Sequence, residues 1–446
     1  MKKFKKIILF HSVISLLALS ACSKNKVETT PFVTDVTPTV TNTVTSAVTS
    51  TITKDEAYSK PTEPTKAIDT VSTYKIPDID ISNQNIPTST ALDFVKGMKI
   101  GWNLGNTFDA YTDEPWFSDE LGYETAWCGI KTNQTMIDTL WEAGFHTIRI
   151  PVSWHDHVTE DEFLISEVWL NRVQEVVDYA YNKGMYVILN THHDNQEEYY
   201  YPDHNHLDSS KKYIEKIWTQ LAKRFSTYDE HLIFESLNEP RLVGTNYEWW
   251  LDVNNESCID AVKTINALNQ AFVDTVRNGE GNNDTRYLMV PGYGASVQGV
   301  LIQEFELPKD IIEDKLILSV HAYTPYNFAL QGPTESGSVD EFSIDNRNNT
   351  QEINQFMEQI YDKYISVGIP VVIGEFGARD KNGNTQSRID YATYYVAYAR
   401  AYGMTCIWWD NNSFTGAGES FGLLDRKTVT FQYKEIVEGL MKYSTE

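Results

Sequence analysis

The strongest constraint on the fold is a repeated alternation of short apolar runs with longer amphipathic runs from Ala91 onward. The short runs are almost continuously apolar, which is typical of parallel strands that are covered on both faces. We predict eight strands in these runs: Met98–Asn103, His146–Ile150, Tyr186–Asn190, Leu232–Leu237, Tyr287–Pro291, Leu316–His321, Val371–Phe376 and Thr405–Trp409. A strand–helix unit repeated eight times within residues 89–446 predicts an α/β fold, the (β/α)8 or TIM barrel, with some long loops.

Four of the amphipathic runs end at a glycine, and a predicted strand follows each one within a few residues. These glycines are Gly144, Gly184, Gly368 and Gly403. Glycine ends helices well because it adopts the left-handed conformation that the residue after a helix requires. An open, doubly wound sheet is the alternative architecture. That fold normally has a glycine-rich phosphate turn after its first strand, and the sequence contains no G-x-G-x-x-G motif.

Residues 1–21 are predicted to be a signal peptide of the lipoprotein type. A lysine-rich start precedes an apolar run, Ile7–Leu19, which has the length of a signal sequence and is short for a membrane span. The run ends in Leu-Ser-Ala-Cys, which resembles the bacterial lipobox, so we predict that Cys22 is lipidated. The alternative is an ordinary signal peptide that is cut near Ala21. The expected location is extracellular, either as a surface lipoprotein anchored to the bacterial membrane through Cys22 or as a secreted protein.

Residues 22–88 are predicted to form a disordered linker between the anchor and the barrel. Residues 29–53 contain 11 threonines, and no glycine occurs from Ser23 to Lys96. This composition is typical of an extended tether. A small β module is the alternative, because Thr and Val favour strands, but the segment lacks the turn glycines of such a module. Residues 89–446 are expected to form one barrel domain.

The charge balance restricts the partners of the chain. With 62 acidic and 37 basic residues, the formal net charge is −25, which argues against nucleic-acid binding. By contrast, 11 tryptophans and 26 tyrosines supply flat rings that suit stacking on a sugar. Beyond Cys22, three widely spaced cysteines, Cys128, Cys258 and Cys406, form neither a disulfide framework nor a zinc motif. We expect a monomer that uses no metal and no cofactor.

Polar residues gather where the predicted strands end, and in a barrel these carboxyl ends surround the site of chemistry. They are Asn103 and Asn106 after the first strand, Arg149 in the second, His192, His193 and Asp194 after the third, Asn238 and Glu239 after the fourth, His321 and Tyr323 at the sixth, Glu375 in the seventh, and Trp409 in the eighth. The amino ends of the strands show no such collection. We therefore predict the functional site at the carboxyl end of the barrel.

Two carboxylates, Glu239 and Glu375, belong to this set. Their strands are the fourth and the seventh of eight, so the side chains face each other across the mouth of the barrel. Two carboxyl groups that face a sugar-sized gap match glycosidic cleavage, with one as proton donor and the other as nucleophile. Arg149 is available to keep Glu375 ionised. Glu239 has no assigned positive partner, so we predict that it is the acid with the raised pKa.

The strand-end motifs resemble those of glycoside hydrolase family 5. The resemblance rests on Gly101-Trp-Asn-Leu-Gly-Asn106, Ile148-Arg-Ile-Pro151, Leu237-Asn-Glu-Pro240, His321-Ala-Tyr323 and Ile373-Gly-Glu-Phe376. It covers nearly the whole predicted barrel. The resemblance implies an endo-acting, retaining β-1,4-glucanase, a cellulase, that acts on a polysaccharide β-glucan chain. It places the acid/base on Glu239 and the nucleophile on Glu375.

The resemblance also implies supporting and sugar-binding roles for residues around the two glutamates. These are Arg149 and Tyr323, which hold Glu375; Asn238, which binds the 2-hydroxyl beside the cleaved bond; His321 near Glu239; His192 and His193; Trp409, which supports the sugar in the −1 subsite; and Asn106, Asp109 and Trp127 on the minus side. The pattern is closer to the cellulase and xyloglucanase branch than to the mannanases. Cys128 stands where the family pattern has glycine, which leaves the shape of that loop open.

Several alternatives stay open. The polymer could be xyloglucan, lichenan or mannan instead of cellulose. A non-catalytic glycan-binding lipoprotein is disfavoured because every expected catalytic position is filled. A metal cluster of His192, His193 and Asp194 is disfavoured because neighbouring residues of a strand point to opposite faces. Trp249 and Trp250 form either a plus-side sugar platform or a packed loop.

Overall fold

The computed structural model describes residues 73–416 and 418–445. The predicted signal peptide, the predicted lipidation site at Cys22 and the predicted linker as far as residue 72 lie outside the described residues. Tyr74–Glu446 forms one compact unit. Within the described part of the chain, no helix combines the length and the apolar composition that crossing a membrane requires.

Eight parallel strands close into a barrel in the order of the sequence, and the last strand pairs with the first. The strands are β1 (Ile100–Leu104), β2 (Thr147–Ile150), β3 (Tyr186–Asn190), β4 (Leu232–Glu235), β5 (Leu288–Ser296), β6 (Leu316–His321), β7 (Val371–Phe376) and β8 (Thr405–Asp410). This confirms the predicted (β/α)8 barrel and its eight strands. Almost every strand residue is buried, because helices cover the outer face and side chains fill the interior.

Helices alternate with the strands and form the outer layer. They are α1 (Thr90–Gly97), α2 (Gln134–Glu142), α3 (Glu167–Tyr181), α4 (Leu207–Arg224), α5 (Glu256–Arg277), α6 (Val297–Leu301), α7 (Tyr326–Ala329), α8 (Arg347–Lys363), α9 (Thr385–Ala401) and α10 (Lys434–Lys442). Short 3-10 turns lie at Glu120–Thr125, His155–His157, His204–His206, Gly281–Asp284 and Ile365–Val367. A two-stranded antiparallel ribbon, β9 (Leu424–Asp425) and β10 (Thr430–Phe431), follows β8.

The four glycines that were predicted to end helices all have a left-handed backbone. Their φ angles are 103° at Gly144, 80° at Gly184, 94° at Gly368 and 82° at Gly403. A residue with a β-carbon is strained in this region, so glycine turns the chain towards the next strand at little cost. At Gly403 a β-carbon would also lie 2.8 Å from Cδ1 of Ile86, so glycine there permits a close contact.

Helix α1 closes the end of the barrel at which the strands begin. Ser89 caps this helix, since its side chain accepts a hydrogen bond from the Leu92 backbone N–H. The buried face of α1 packs against apolar side chains inside the barrel, and Phe94 stacks on Tyr287 with 3.6 Å between ring centroids. Because this end is sealed, a substrate cleft can form only at the other end, where the strands finish.

The folded domain begins earlier than the predicted boundary at residue 89. Residues 74–88, which we call the strap, lie against the barrel and its outer helices. The Ile79 N–H donates to Tyr443 Oη at 2.7 Å, and the Gln84 N–H donates to the Ala401 carbonyl at 2.8 Å. The strap residues packed against the core are Ile76, Ile79, Ile81 and Ile86. Composition misses such a segment, because a few spaced apolar residues are enough to hold an extended chain in place.

Candidate active site

The barrel brings the predicted site residues to one end, as its topology requires. Arg149 lies in β2, His321 in β6, Glu375 in β7 and Trp409 in β8, whereas His192 and His193 follow β3, Asn238 and Glu239 follow β4, and Tyr323 follows β6. The floor of this site is almost closed to water: Arg149 is fully buried, Asn238 is 2% exposed and Glu375 is 5% exposed. Charge interactions are stronger in such a water-poor environment than at the surface.

Glu375 is held by two donors. Arg149 Nη1 lies 2.8 Å from Glu375 Oε1, and the Tyr323 hydroxyl donates to Glu375 Oε2 at 2.9 Å. These two bonds engage both carboxylate oxygens from the protein side. The carboxylate is therefore fixed in one orientation, which a nucleophile in a barrel mouth needs.

Glu239 lies opposite Glu375 and has its own cationic partners. His321 Nδ1 is 2.8 Å from Glu239 Oε1, and Arg241 Nη1 is 3.9 Å from Glu239 Oε2. His321 Nδ1 is also 3.6 Å from Glu375 Oε1, so the imidazole stands between the two acids. One oxygen of Glu239 and one of Glu375 lie within 4.8 Å of each other. The predicted pair of facing carboxylates is therefore present in the fold.

Arg149 is the centre of a buried polar network. Its Nε donates to Glu235 Oε2 at 2.7 Å, its Nη2 donates to Asn238 Oδ1 at 2.7 Å, and its Nη1 also donates to Asn103 Oδ1 at 3.0 Å. Glu235 did not enter the sequence prediction. Its signal was present, because a carboxylate inside the apolar run of β4 is costly to bury without a partner. The network fixes the guanidinium below the two glutamates.

The pKa values of the two glutamates run opposite to the sequence prediction. Burial raises the pKa of Glu375, and the charges of His321 and Arg149 oppose this shift without cancelling it. Burial also acts to raise the pKa of Glu239, but the hydrogen bond and the charge of His321 outweigh it, so the pKa is lowered. The prediction was wrong because it assumed that Glu239 has no positive partner, whereas the fold supplies His321 and Arg241.

His321 and Tyr323 are the two hydrogen-bonding groups whose protonation matters most here. Burial alone would lower the pKa of His321, but the charges of Glu375 and Glu239 raise it, which favours the imidazolium between them. Burial and the charge of Glu375 raise the pKa of Tyr323 well above its usual value. The tyrosine therefore stays protonated and remains a donor to Glu375.

Comparison with known proteins identifies the family to which this site belongs. Residues 110–415 match the family model described as cellulase, glycosyl hydrolase family 5. The chain belongs to glycoside hydrolase family 5. It is therefore a glycoside hydrolase, and the family resemblance inferred from its strand-end motifs is confirmed.

Relatives and solved structures extend over most of this family 5 enzyme. Endoglucanase 1 of Ruminococcus albus is 42% identical over 365 residues, which are 81% of this chain and 84% of the relative. A variant of the family 5 lichenase from Caldicellulosiruptor sp. F32, in complex with cellotetraose, is 62% identical with a TM-score of 0.82, and the match covers 83% of this chain and 100% of that one. A broad specificity endoglucanase from Ruminococcus champanellensis with bound cellotriose is 43% identical with a TM-score of 0.73, covering 80% of this chain and 100% of the other.

Aromatic rings border the cleft of the family 5 enzyme. Trp127 is 40% exposed, as expected for a sugar contact, and it meets Tyr111 edge to face at 5.4 Å. The ring of His193 lies 5.8 Å from Trp127. Trp409 is 7% exposed and nearly parallel to the ring of His192, with 5.9 Å between centroids. These rings offer flat apolar surfaces at the end of the barrel that carries the two glutamates.

Asp109 is not exposed to the cleft, as the predicted sugar contact on the minus side would require. It is fully buried, and its carboxylate oxygens accept the backbone N–H groups of Asn106 at 2.9 Å and Thr107 at 2.6 Å. This geometry makes Asp109 a support for the turn after β1 instead of an open sugar contact, and burial raises its pKa to about 6. Asn106, which the turn presents, is half-buried with a φ of 57° and remains near the cleft.

The fold separates Asp194 from His192 and His193, the other two polar residues predicted after the third strand. Because β3 ends at Asn190, both histidines lie beyond the strand and do not alternate between its faces as predicted; their rings are 4.4 Å apart. Asp194 instead accepts hydrogen bonds from two backbone N–H groups of the segment after β2. Burial lowers the pKa of both histidines, to about 3 for His193, so both rings are neutral at neutral pH and suited to bind hydroxyl groups.

Among the residues that the structure describes, two groups have donor atoms close enough to hold a metal ion. They are Asp109 with His192 and His193, and Glu239 with His321 and Glu375, each with ligand atoms within 4.8 Å of one another. In the first group both oxygens of the aspartate already accept backbone hydrogen bonds, and in the second the histidine is bound to a glutamate. Glycoside cleavage by two carboxyl groups needs no metal at either place.

The loop around Cys128 is shaped by its neighbour. Gly129 has a φ of 73°, so the left-handed position that glycine favours lies one residue after the cysteine. Cys128 Sγ contacts the Ile130 carbonyl at 3.5 Å and is free, as are the buried Cys258 and Cys406. The loop that carries Trp127 therefore keeps a left-handed turn, at Gly129, although cysteine replaces the glycine of the family pattern at position 128.

Proposed function

We propose that this glycoside hydrolase is an endo-acting β-1,4-glucanase that cleaves with net retention of anomeric configuration. The observation that carries the proposal is the close approach of the two glutamates: His321 Nδ1 lies 2.8 Å from Glu239 Oε1 and 3.6 Å from Glu375 Oε1, and one oxygen of each glutamate lies within 4.8 Å of the other. Retaining enzymes place their carboxyl groups about 5–5.5 Å apart, whereas inverting enzymes leave about 6.5–9.5 Å to admit a water. The short separation supports direct attack by a carboxylate on the sugar.

The reaction has two steps, each with inversion at the anomeric carbon. In the first, Glu375 attacks that carbon to form a glycosyl ester, while Glu239 gives a proton to the departing glycosidic oxygen. In the second, Glu239 takes a proton from water, and the resulting hydroxyl breaks the ester and restores the Glu375 carboxylate. Two inversions give retention, and one water is consumed for each bond that is cut.

His321 accounts for the two roles of Glu239. The negative charge of Glu375 favours a proton on the neighbouring His321 and Glu239 pair. In the first step the pair passes this proton through Glu239 to the leaving oxygen. When Glu375 becomes an ester its charge is lost, so the pair has less tendency to take up another proton from solution, and Glu239 remains an ionised base for the second step. The proton needed in the first step is available from His321 across 2.8 Å.

The neighbouring groups stabilise the transition state. Arg149 and Tyr323 keep Glu375 in position for attack. Because Asn238 Oδ1 accepts from Arg149, its amide N–H is the group left to bind the sugar 2-hydroxyl. Such a hydrogen bond strengthens as the oxocarbenium-like state forms. Trp409 offers the apolar surface on which the sugar of the −1 subsite rests.

The relatives support a β-1,4-linked glucan as the substrate. Two relatives carry the name endoglucanase, and the structures of the lichenase variant and of the broad specificity enzyme hold cello-oligosaccharides. Mixed-linkage β-glucan is the second candidate, because the lichenase is 62% identical to this chain. The exposed ring of Trp127 suits the flat face of a glucan chain in either polymer.

We also propose that the enzyme acts outside the cell as a monomer attached to the membrane through a lipid on Cys22. The support is the basic start, the apolar run and the small residues before the cysteine. In cells, the wild-type protein should partition with membranes, and a Cys22→Ala variant should appear in the medium. Equal partition of the two proteins would contradict the anchor.

The decisive experiment is release of reducing sugars by residues 74–446 from carboxymethylcellulose, barley β-glucan, xyloglucan, xylan and mannan. Glu375→Gln, which keeps the shape and removes the charge, is the matched control. We expect activity on the β-glucans that vanishes in the variant, and proton NMR should show the β anomer as the first product. An α anomer would refute retention, activity on mannan alone would refute the glucanase, and tight binding without hydrolysis would support a glycan-capture protein.

A further inference from the structure

The loop that follows β4 presents two tryptophans to solvent on the Glu239 side of the cleft. Trp249 is 67% exposed and Trp250 is 70% exposed. An exposed indole contributes little to the stability of the fold, because it stays in water. Where two such rings lie together at a cleft, they commonly mark a ligand-binding surface. Of the two interpretations left open by the sequence, this exposure favours a sugar platform over a packed loop.

Arg241 connects Trp249 to Glu239. Its guanidinium carbon lies 3.9 Å from the centroid of the Trp249 ring, which is the distance of a stacked cation–π pair. Nη1 of the same group is 3.9 Å from Glu239 Oε2 and donates a 2.9 Å hydrogen bond to the Glu239 carbonyl. Arg241 thus covers one face of the indole and at the same time holds the backbone and the charge of Glu239.

The loop is rigidly attached on both sides of Arg241. The Arg241 N–H donates to Asn195 Oδ1 at 2.8 Å, and Asn195 Nδ2 donates back to the Arg241 carbonyl at 3.0 Å. The Tyr293 hydroxyl accepts from the Leu242 N–H at 3.1 Å and donates to the Tyr247 carbonyl at 2.5 Å. These bonds hold the backbone of the loop, and the Arg241 guanidinium packs on the Trp249 ring, so less order has to be gained when a ligand binds.

Glu248 is the second carboxylate beside Arg241. Glu248 Oε1 lies 3.5 Å from Arg241 Nε, and Glu248 Oε2 accepts the Gly244 N–H at 3.0 Å. Arg241 therefore lies between two carboxylates, Glu239 towards the cleft and Glu248 towards the loop. Its side chain is 14% exposed, so these interactions are only partly screened by water.

We infer that Trp249 binds the sugar on the leaving-group side of the cleaved bond and that Arg241 is a positioning residue for Glu239. This inference rests on the proposed glucanase function and on Glu239 as the acid/base. The acid protonates the leaving oxygen, so the departing sugar lies on the side of the cleft where Trp249 stands. The ligand is a β-linked glucosyl unit, whose axial C–H groups form a flat face that stacks on an indole.

Arg241 couples leaving-group binding to proton transfer. Its positive charge stabilises the carboxylate that remains when Glu239 has given its proton away. Its planar group stacks on the indole and hydrogen-bonds to the Glu239 carbonyl at the same time, which the ammonium of a lysine does less well. The Arg241 side chain thus holds both the indole that would carry the sugar and the acid, Glu239.

The test compares two substrates that differ only in the leaving group. Cellotetraose cleaved in its middle places two glucosyl units on the leaving-group side. β-Cellobiosyl fluoride has the same cellobiosyl part, but its leaving group is a fluoride ion, which needs no sugar surface and much less help from an acid. The variants are Trp249→Ala, Trp249→Tyr, Arg241→Met and Arg241→Lys, and kcat/KM is measured for both substrates.

We expect Trp249→Ala and Arg241→Met each to reduce kcat/KM on cellotetraose by about tenfold or more, and on the fluoride by no more than about twofold. In Trp249→Ala the loss should be carried mainly by KM, whereas in Arg241→Met it should be carried mainly by kcat. Trp249→Tyr, which keeps an aromatic face, should restore part of the lost binding. Arg241→Lys, which keeps the charge, should restore part of kcat.

Three outcomes distinguish the hypotheses. Equal losses on both substrates mean that the loop has only a structural role, and this overturns the inference. Unchanged activity on cellotetraose in both Trp249→Ala and Arg241→Met overturns it as well. If the wild-type enzyme cleaves neither substrate, the proposed function itself fails, and that result is independent of the variants. Thermal unfolding of every variant shows whether a loss follows from misfolding.

Discussion

Arg149 Nε lies 2.7 Å from Glu235 Oε2, and both side chains are fully buried beneath the nucleophile. The same guanidinium binds Glu375 at 2.8 Å, so one cation is shared by two carboxylates. Sharing keeps Arg149 from stabilising the ionised form of Glu375 alone, which fits the raised pKa of Glu375. Glu235 thus acts on the reaction through Arg149, without facing the cleft.

Replacing Glu235 by Gln should lower kcat by about 10- to 100-fold, because Arg149 then turns wholly towards Glu375 and displaces it from the attack position. The pKa of the nucleophile should fall, so the acid limb of the pH profile moves to lower pH. Ser319→Ala is the control, since it removes only the 2.7 Å hydrogen bond to Glu235 Oε1 and leaves every charge in place. An unchanged kcat and an unchanged acid limb in Glu235→Gln would contradict the role of the shared cation.

The two glutamates should respond differently to azide. Alanine at either position should lower kcat by at least about 10³-fold on polysaccharide. With an activated aryl β-cellobioside, azide should attack the glycosyl ester in Glu239→Ala and give the β-glycosyl azide. In Glu375→Ala it should replace the nucleophile and give the α-glycosyl azide. NMR of the products distinguishes them, and the opposite pairing would reverse the assigned roles.

The pH profile of kcat/KM on soluble β-glucan should be bell-shaped. Glu375 must be ionised to attack, and its pKa is raised above 4.5 by burial, so activity falls as the pH drops through that raised value. The proton held by His321 must be present, and the His321 pKa is raised above 6.5 by the two glutamates. Activity should therefore persist at pH 6.5 and be lost as the pH rises through the raised value.

Replacing His321 by Gln tests the origin of the alkaline limb. The variant keeps a polar side chain but removes the imidazolium, so Glu239 must hold the proton alone. We expect the alkaline limb to move to lower pH and kcat at neutral pH to fall by roughly tenfold or more. An alkaline limb at the wild-type position would show that another group controls it.

Gly105 determines how closely the chain approaches Trp409. A β-carbon at Gly105 would lie 2.7 Å from Trp409 Cζ2 and 3.0 Å from the Asp410 carbonyl, so the indole must shift in Gly105→Ala. A displaced −1 surface should lower kcat/KM by about 10- to 100-fold. Gly184→Ala is a control at the far end of the barrel. Its added carbon meets nothing within 4 Å, but its left-handed backbone should be strained and its Tm lowered, while kcat/KM stays unchanged. Wild-type activity in Gly105→Ala would mean that Trp409 does not carry the sugar.

The strap should contribute to stability and not to chemistry. A protein that begins at residue 89 loses the four packed isoleucines and the backbone bonds to Tyr443 and Ala401. We expect its Tm to fall by about 5 °C or more relative to a protein that begins at residue 74. Both proteins should have the same kcat at low temperature, which assays on β-glucan will show. Equal Tm values would mean that the strap packs without stabilising the barrel.

Local patterns were enough to predict the barrel. Strands β3, β6 and β7 have the predicted bounds, because their apolar runs begin and end sharply. Strand β5 extends to Ser296, beyond its predicted end at Pro291, through a register shift against β6. A bulge of this kind depends on the neighbouring strand, so no apolar run in β5 itself reveals it.

Periodicity and strand-end position are local properties of the chain, so they were enough to predict the barrel, to predict the site at the carboxyl ends of its strands, and to select the two glutamates as candidates. The contacts between groups that are far apart along the chain, and the pKa shifts that these contacts cause, depend on the tertiary structure. His321 lies 82 residues from Glu239 in sequence and 2.8 Å from it in space, and this contact reverses the expected order of the two pKa values. Burial and charge act through distance in space, which the order of residues along the chain does not encode.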